Sequence, residues 1–285
     1  MSVVIRDARA DDAVRAGEIC YNAFYGISTA HNFPPDFPSP DVAIGLIKMA
    51  IEHPEIYGVI AEADGEVAGS NFLWEQSDIA GVGPITVASV EQNRHVGRQL
   101  MEAVLRRAEA KHWKGVRLCQ AAFHGRSLSL YTKLGFDTRE PLSNMQGAAL
   151  NKTIPGRNVR KANADDAAAC NALCARVHGH DRRGEVRDAI AQEWATVVES
   201  GGKITGYATL VGFFGHAVAE TNDDMKALIA AAPEFPGPGF LLPTRNGDLM
   251  RWCLDEGLRV VQPMTLMSKG FYQEPKGAFL PSVLF

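Results

Sequence analysis

Three absences limit what this sequence can encode. Its five cysteines are an odd number, and no two of them stand in the C-x-x-C spacing of a zinc site. The pattern fits a reducing compartment, so we expect a cytoplasmic protein that holds no metal. We expect no secretory signal, because a charged residue follows the first five residues. The long uncharged run at residues 204–219 is shorter than the roughly 20 apolar residues of a membrane helix and predicts buried strand and turn.

The charge balance and the composition exclude further classes of protein. Lys and Arg number 29 against 33 Asp and Glu, which gives a net charge of −4 with histidine neutral. A chain without a bulk positive field is not expected to bind nucleic acid, and one without an apolar span is not expected to enter a membrane. With 285 residues, of which 46% are hydrophobic, the chain is long enough for about two domains with separate cores.

The two halves of the sequence repeat each other. Residues 5–13 and 159–167 are identical at six of nine positions, and each segment predicts a short strand, a turn and an Asp that caps a helix. A second echo joins residues 62–69 to residues 199–206, and each of these predicts a hairpin with a glycine in its turn. A repeat of this kind indicates two copies of one structural unit.

The spacing of the echoes shows where the copies differ. The offset falls from 154 at the first echo to 137 at the second, so the first copy carries 17 more residues. The proline-rich segment 32–40 is the best candidate for this insertion. A third, weaker echo sets Gly135–Phe136 against Gly257–Leu258.

The repeat predicts an α+β protein of two tandem, related domains. We place the first domain at residues 1–152 and the second at residues 158–285. The linker is expected near residues 151–157, where Pro155 and Gly156 interrupt the pattern.

A strand, a turn and a helix follow one another after Pro84. The first part alternates as a strand, and apolar residues then recur at helical spacing from Leu100 to Leu105. The turn at residues 92–97 therefore leads into a helix N-terminus, whose free amides and dipole suit a pyrophosphate. Gly97 lets the backbone approach such a ligand closely. The same pattern is also common in structural connections, so the segment alone leaves both interpretations open.

The turn resembles a motif of the GNAT acyltransferase superfamily, V-x-P-x-x-[Q/R]-x-x-G-x-[G/A]. Val87, Gln92 and Gly97 fall in register with it, whereas Ser89 replaces the frequent proline and His95 replaces the first glycine. If the position of His95 needs a positive φ, histidine is among the less unfavourable residues there.

A second motif of the same superfamily follows in the expected order. Residues 124–136 resemble its N-x-x-A-x-x-x-Y-x-K-x-G-F pattern, with Tyr131 and Lys133 matching and with His124 and Ser127 in place of Asn and Ala. The resemblance extends over nearly all of residues 1–150. It implies that each domain is a mixed, mostly antiparallel sheet flanked by helices.

The resemblance also implies a chemistry. Members of the superfamily bind acetyl-CoA as a co-substrate and let an amine attack the thioester directly, so no metal is expected. Tyr131 is then the general acid that protonates the departing thiolate. Glu75 is the expected general base, with Asp78 and the carboxylate of Phe285 as alternatives. The residues expected to bind acetyl-CoA are Val87, Ala88, Gln92, Asn93, Arg94, His95, Val96, Gly97, Arg98, His124, Ser127 and Lys133.

Two functions remain open at this point. The first is an N-acetyltransferase that acts on a small-molecule amine or on an amino-terminal group of a peptide. The second is a non-catalytic acyl-CoA-binding sensor or scaffold, which the replacements at His95 and His124 favour. Neither the acceptor nor the oligomeric state can be read from the sequence, and a homodimer remains open.

The second copy lacks the features that carry this chemistry. Its counterpart of the phosphate turn, residues 216–232, has no glycine and includes three acidic residues. Cys253 stands at the position of Tyr131. We therefore expect a degenerate, non-catalytic copy that walls off the amine site, together with the proline-rich segment 32–40.

Overall fold

The computed structural model describes residues 3–92 and 94–284. The first half of the chain contains β1 (Val3–Asp7), α1 (Ala13–Ala30), α2 (Pro40–Glu52), β2 (Ile56–Ala63), β3 (Glu66–Trp74), β4 (Ile79–Val82), β5 (Thr86–Val87), α3 (Val96–Ala110), β6 (Gly115–Ala121), α4 (Gly125–Lys133) and β7 (Asp137–Gln146). The second half contains β8 (Asn158–Lys161), α5 (Ala167–His178), α6 (Arg183–Ala191), β9 (Thr196–Ser200), β10 (Lys203–Ala208), β11 (Ala217–Ala219), α7 (Asn222–Ala231), β12 (Phe240–Pro243), α8 (Gly247–Asp255), β13 (Arg259–Gly270) and β14 (Ala278–Leu280).

The predicted α+β class is confirmed, and the strands form two sheets. The first sheet has the order β1-β2-β3-β4-β6-β13-β7-β12, with β5 paired to β3. The second sheet has the order β14-β11-β10-β9-β8. Within the described residues, β4 and β6 are the one parallel pair, and all other pairs are antiparallel.

The first sheet contains strands from both halves, which the sequence analysis did not predict. Strand β13 lies between β6 and β7, and it pairs with β6 from Met264↔Ala121 to Gly270↔Gly115. Strand β12, also from the second half, pairs with the outer edge of β7. The expectation of one separate sheet for each half is therefore wrong for these strands, and the two halves share one continuous sheet.

Strands β7 and β13 occupy equivalent places in the repeat. Each follows a glycine with a left-handed backbone, Gly135 at φ 89° and Gly257 at φ 86°, which ends the preceding helix. The two strands pair with each other over most of their length. Leu142 of β7 and Met267 of β13 are buried, whereas Val260 of β13 is exposed. The pairing of β7 with β13 joins the two halves in one sheet.

A charged cluster recurs in the two copies. In each copy one arginine contacts two carboxylates at 2.7–2.8 Å. The first of these carboxylates also accepts the backbone N–H that precedes a short helical turn. The clusters are Arg6, Asp12 and Glu62 in the first copy and Arg160, Asp166 and Glu199 in the second. The same offsets of 154 and 137 relate their members, which confirms the first two echoes.

Helix α3 packs on the first sheet as its spacing predicted. Leu100, Met101 and Val104 are fully buried between the helix and the strands. In the second half, residues 204–219 form β10, a turn and β11, as expected for buried strand and turn. No helix within the described residues is both long and apolar enough to cross a membrane.

Strands β4 and β6 separate at the middle of the first sheet. They pair only from Ile79↔Gly115 to Gly81↔Arg117. Beyond Val82 the chain leaves β6, and β5 then pairs with β3 on the opposite side. No other strand within the described residues pairs with the second edge of β5. The backbone of β5 therefore faces an open gap whose far wall is the end of β6.

Candidate active site

Two cavities meet at the gap between β5 and β6. The first, the inner cavity, has a volume of about 130 Å³ and lies between α1, residues 83–86 and the end of β6. The second, the outer cleft, has a volume of about 380 Å³ and lies between β5 and the first turns of α3 and α4. Both are lined by Ile85, His124, Ser127 and Tyr131. A molecule that occupied both cavities would pass Tyr131.

The outer cleft contains an uncapped helix N-terminus. His95 precedes α3 with φ 61° and ψ 12°, a left-handed conformation that is less unfavourable for histidine than for most other non-glycine residues. No side chain caps this helix, so its first amides lack partners within the helix. A Cβ added at Gly97 would meet its nearest atom at 3.7 Å, so the open side of this residue faces the cleft. Arg98 and Arg126 add positive charge to the lining.

Most of the residues predicted to bind acetyl-CoA line the outer cleft. Those that do so are Val87, Gln92, His95, Val96, Gly97, Arg98, His124 and Ser127. Three others do not line it. Ala88 donates its N–H to the carbonyl of Ala68, and Arg94 pairs with Glu91 at 2.6 Å. Lys133 is exposed at the end of α4. Asn93 lies outside the described residues. The sequence analysis missed Arg126, although a basic residue in the first turn of α4 could have indicated it.

Tyr131 is buried where the cavities meet, with its ring 6.2 Å from that of Phe136. Burial raises the pKa of Tyr131 to about 12, although a hydrogen bond from Ser127 opposes the rise. The phenol is therefore protonated at neutral pH and able to donate. Oγ of Ser127 is also hydrogen-bonded to Nδ1 of His124 at 2.7 Å. Burial lowers the pKa of His124, so this imidazole is neutral at pH 7.

The structure does not bring Glu75 to Tyr131. Nε and Nη2 of Arg107 donate to the Glu75 carboxylate at 2.8 and 2.9 Å. This bidentate pair holds Glu75 against α3, away from the lining of either cavity. Asp78 pairs with Lys114 at 2.5 Å and is also absent from both linings. The third expected base, the carboxylate of Phe285, lies outside the described residues.

A carboxylate that the sequence analysis did not single out lines the inner cavity instead. Asp36 belongs to the proline-rich segment 32–40 and is half-buried. Nε2 of Gln262, on β13, donates to its Oδ1 at 3.4 Å. Burial raises the pKa of Asp36 to about 6, which places it near the value of an effective base at neutral pH. The one signal in the sequence was a lone acid between apolar and proline residues.

The second half supplies one wall of the inner cavity. Its contribution is Phe213, Phe214, Met264, Val283 and Leu284. The proline-rich segment supplies another wall with Asp36 and Phe37. The second half and this segment therefore both wall the inner cavity. That this cavity is the amine site stays a prediction.

The equivalent helix of the second half, α7, differs from α3 at its N-terminus. Oγ1 of Thr221 caps α7 by accepting the N–H of Asp224 at 3.2 Å. The Asp224 carboxylate is buried there and pairs with Arg157 at 2.6 Å. Cys253, the counterpart of Tyr131, is buried in the core. An anion would thus meet a capped helix and buried negative charge.

Comparison with known proteins agrees with this geometry. Residues 23–136 match the sequence model of the acetyltransferase (GNAT) family. The match confirms the family resemblance for that segment. No curated protein sequence matches the chain.

Solved structures resemble the whole chain in fold. A candidate acetyltransferase from Pyrococcus horikoshii is 16% identical, with a TM-score of 0.72 over 99% of this chain and 92% of its own. A GCN5-related N-acetyltransferase from Sphaerobacter thermophilus is 14% identical, with a TM-score of 0.61 over 95% and 96% of the two chains. PaiA N-acetyltransferase from Thermoplasma acidophilum, solved with coenzyme A, is 18% identical and matches 49% of this chain and 92% of its own, with a TM-score of 0.43.

Proposed function

We propose that the chain transfers an acetyl group from acetyl-CoA to an amine, because residues 23–136 match the sequence model of the GNAT acetyltransferase family. The observation that carries this proposal is the meeting of two cavities at Tyr131. One cavity has the features of an acyl-CoA cleft, and the other has the features of an acceptor site. An amine and a thioester held there would meet beside a protonated phenol.

The described residues of the outer cleft fit acetyl-CoA. The uncapped N-terminus of α3 and the nearby Arg98 and Arg126 suit the pyrophosphate. The free edge of β5 offers main-chain groups to the amides of the pantetheine arm. Gly97 leaves room for close approach, because a side chain at this position would enter the cleft.

The proposed reaction divides proton transfer between two residues. Asp36 accepts a proton from the acceptor ammonium, which frees the nitrogen lone pair to attack the acetyl carbon. The C–N bond forms, the C–S bond breaks, and Tyr131 donates its proton to the departing thiolate. The nitrogen then loses its second proton, which returns to the Tyr131 oxygen and restores the phenol. Asp36 is placed for this role because its carboxylate lines the inner cavity, whereas Glu75 is held by Arg107. A backbone N–H of the gap would stabilise the charge on the carbonyl oxygen.

We further propose that the second half is a degenerate GNAT-like domain without its own catalytic site. Two observations support this assignment, the capped α7 with the buried Asp224 and the buried Cys253 in place of Tyr131. Its role would be structural, because it supplies β13 to the first sheet and Phe213 and Phe214 to the inner cavity.

Thiol release from acetyl-CoA with a pooled panel of amines tests the proposed function. We expect release by the unaltered protein and a loss of about 100-fold in Tyr131→Phe, the usual contribution of one general acid. Tyr25→Phe is the matched control, because it removes the same hydroxyl from an exposed ring outside both cavities. Equal background release from all three proteins would instead support an acyl-CoA-binding protein without turnover.

A further inference from the structure

The inner cavity has a composition that selects among amines. We propose that its acceptor is a small primary amine carried on a compact aromatic or branched apolar body, with a neutral carboxamide or similar group close to the nitrogen. This inference rests on the proposed acetyl transfer and adds the class of acceptor to it. Three independent features of the lining support it.

The first feature is a continuous aromatic wall. The rings of Phe24 and Phe37 lie 5.8 Å apart, those of Phe37 and Phe214 lie 6.2 Å apart, and those of Phe213 and Phe214 lie 5.5 Å apart. All four residues line the inner cavity. Two of them come from the first half and two from the second. Such a wall favours an apolar or aromatic body and offers nothing to a strongly hydrated chain.

The second feature is the charge of the cavity. Among the described residues that line it, Asp36 is the one acidic side chain, and none is lysine or arginine. A cation is attracted to this carboxylate, whereas an acceptor that carries its own carboxylate would bring a second negative charge into an apolar space. The cavity therefore favours amines without an acidic group.

The third feature is a buried side-chain amide without a hydrogen-bond partner among the described residues. Gln120, at the end of β6, is 5% exposed and lines the inner cavity. Neither its Nε2 nor its Oε1 has a hydrogen-bond partner among the described residues. A buried amide can donate and accept at the same time, and leaving it unpaired is unfavourable. A carboxamide on the acceptor would satisfy both atoms, so Gln120 is the specificity-determining residue that we assign.

The path to the cavity is compatible with a small molecule. A groove between the two halves, of about 430 Å³, shares Phe37, Leu46, Phe214 and Leu284 with the inner cavity. It does not share any lining residue with the outer cleft. The groove thus borders the inner cavity on a side that the outer cleft does not share, and we place the entry of the acceptor there.

The test compares kcat/KM for probe amines at saturating acetyl-CoA. Phenylalaninamide carries all three matching features, 2-phenylethylamine lacks the carboxamide, phenylalanine adds a carboxylate, and spermidine lacks the apolar body. We expect phenylalaninamide to exceed 2-phenylethylamine by about 10-fold, since a buried polar group left unpaired discriminates strongly. We expect phenylalanine and spermidine to fall lower still. A preference for spermidine or phenylalanine over phenylalaninamide and 2-phenylethylamine would overturn the inference.

A variant isolates the role of Gln120. Gln120→Leu should reduce the ratio of kcat/KM for phenylalaninamide to kcat/KM for 2-phenylethylamine from about 10 to about 1. A ratio that stays near 10 in the variant would overturn the assigned role of this residue. Calorimetric titration of acetyl-CoA distinguishes a failure of the acceptor class from a failure of the proposed function. Binding with turnover of other amines overturns the acceptor class alone, whereas absence of binding and of all turnover overturns the proposed function as well.

Discussion

Nε2 of Gln262 lies 3.4 Å from Oδ1 of Asp36, so a residue of the second half contacts the carboxylate that we assign as general base. Gln262 lies on β13, the strand that the second half inserts into the first sheet. The contact therefore depends on the shared sheet. Both halves therefore line the inner cavity, whereas the described residues that line the outer cleft all belong to the first half.

Asp36→Asn should lower kcat/KM by about 100-fold or more, the range typical of a lost general base. The base acts only when ionised, and burial raises its pKa to about 6. In the unaltered protein, log kcat/KM should therefore rise with pH through a step near 6, and this step should be absent in Asp36→Asn. A pH-rate profile of both proteins from pH 5 to 8 provides the check. A step that persists in the variant would assign the titration to another group.

The same substitution should stabilise the protein at neutral pH. The pKa of Asp36 is higher in the folded protein than the ordinary value of 3.8, so ionisation opposes folding. This penalty is absent at pH 3, grows as the pH rises from about 4 to 6 and is complete at pH 7.5, where it should be about 2 to 3 kcal/mol. Urea unfolding of the unaltered protein and Asp36→Asn at both pH values measures it. Equal stability at pH 7.5 would show that the carboxylate is solvated.

The charged clusters of the two copies should contribute similarly to stability. Asp12→Ala and Asp166→Ala should each reduce the free energy of unfolding by about 2 kcal/mol, because each change removes an arginine pair and a backbone hydrogen bond. Arg6 and Arg160 lower the pKa of these carboxyls. Their contribution should therefore be full near neutral pH and disappear as the pH falls below about 4. Unfolding in urea at pH 7 and at low pH tests both statements, and a large effect of only one substitution would show that the copies are not energetically equivalent.

Local features of this structure were predictable because local sequence determines them. The repeat predicted the short strand and the turn around Arg6 and around Arg160, but not the charged clusters, because Glu62 and Glu199 come from distant strands. The motif set His95 in place of a glycine, which raised a left-handed residue before α3 as a possibility, and the structure has one there. The helical spacing of the apolar residues predicted the buried face of α3, because residues three and four positions apart lie on one side of a helix.

Features that depend on distant partners were not predictable. The alternation of β13 indicates a strand but does not name its neighbours, so its place between β6 and β7 was missed. Glu75 follows β3 in the sequence, and only the fold shows that Arg107 holds its carboxylate. Asp36 lies in a loop, where no periodicity indicates the direction of a side chain.

The most direct test of the account is a calorimetric titration of acetyl-CoA into the full chain. We predict one bound molecule per chain, with an affinity at least 10-fold weaker in Gly97→Glu, which adds bulk and negative charge to the outer cleft. Gly26→Glu is the matched control, because Gly26 is an exposed position of α1 outside both cavities, and it should bind normally. Two bound molecules per chain, or equal affinity in both variants, would contradict a single acyl-CoA site at the N-terminus of α3.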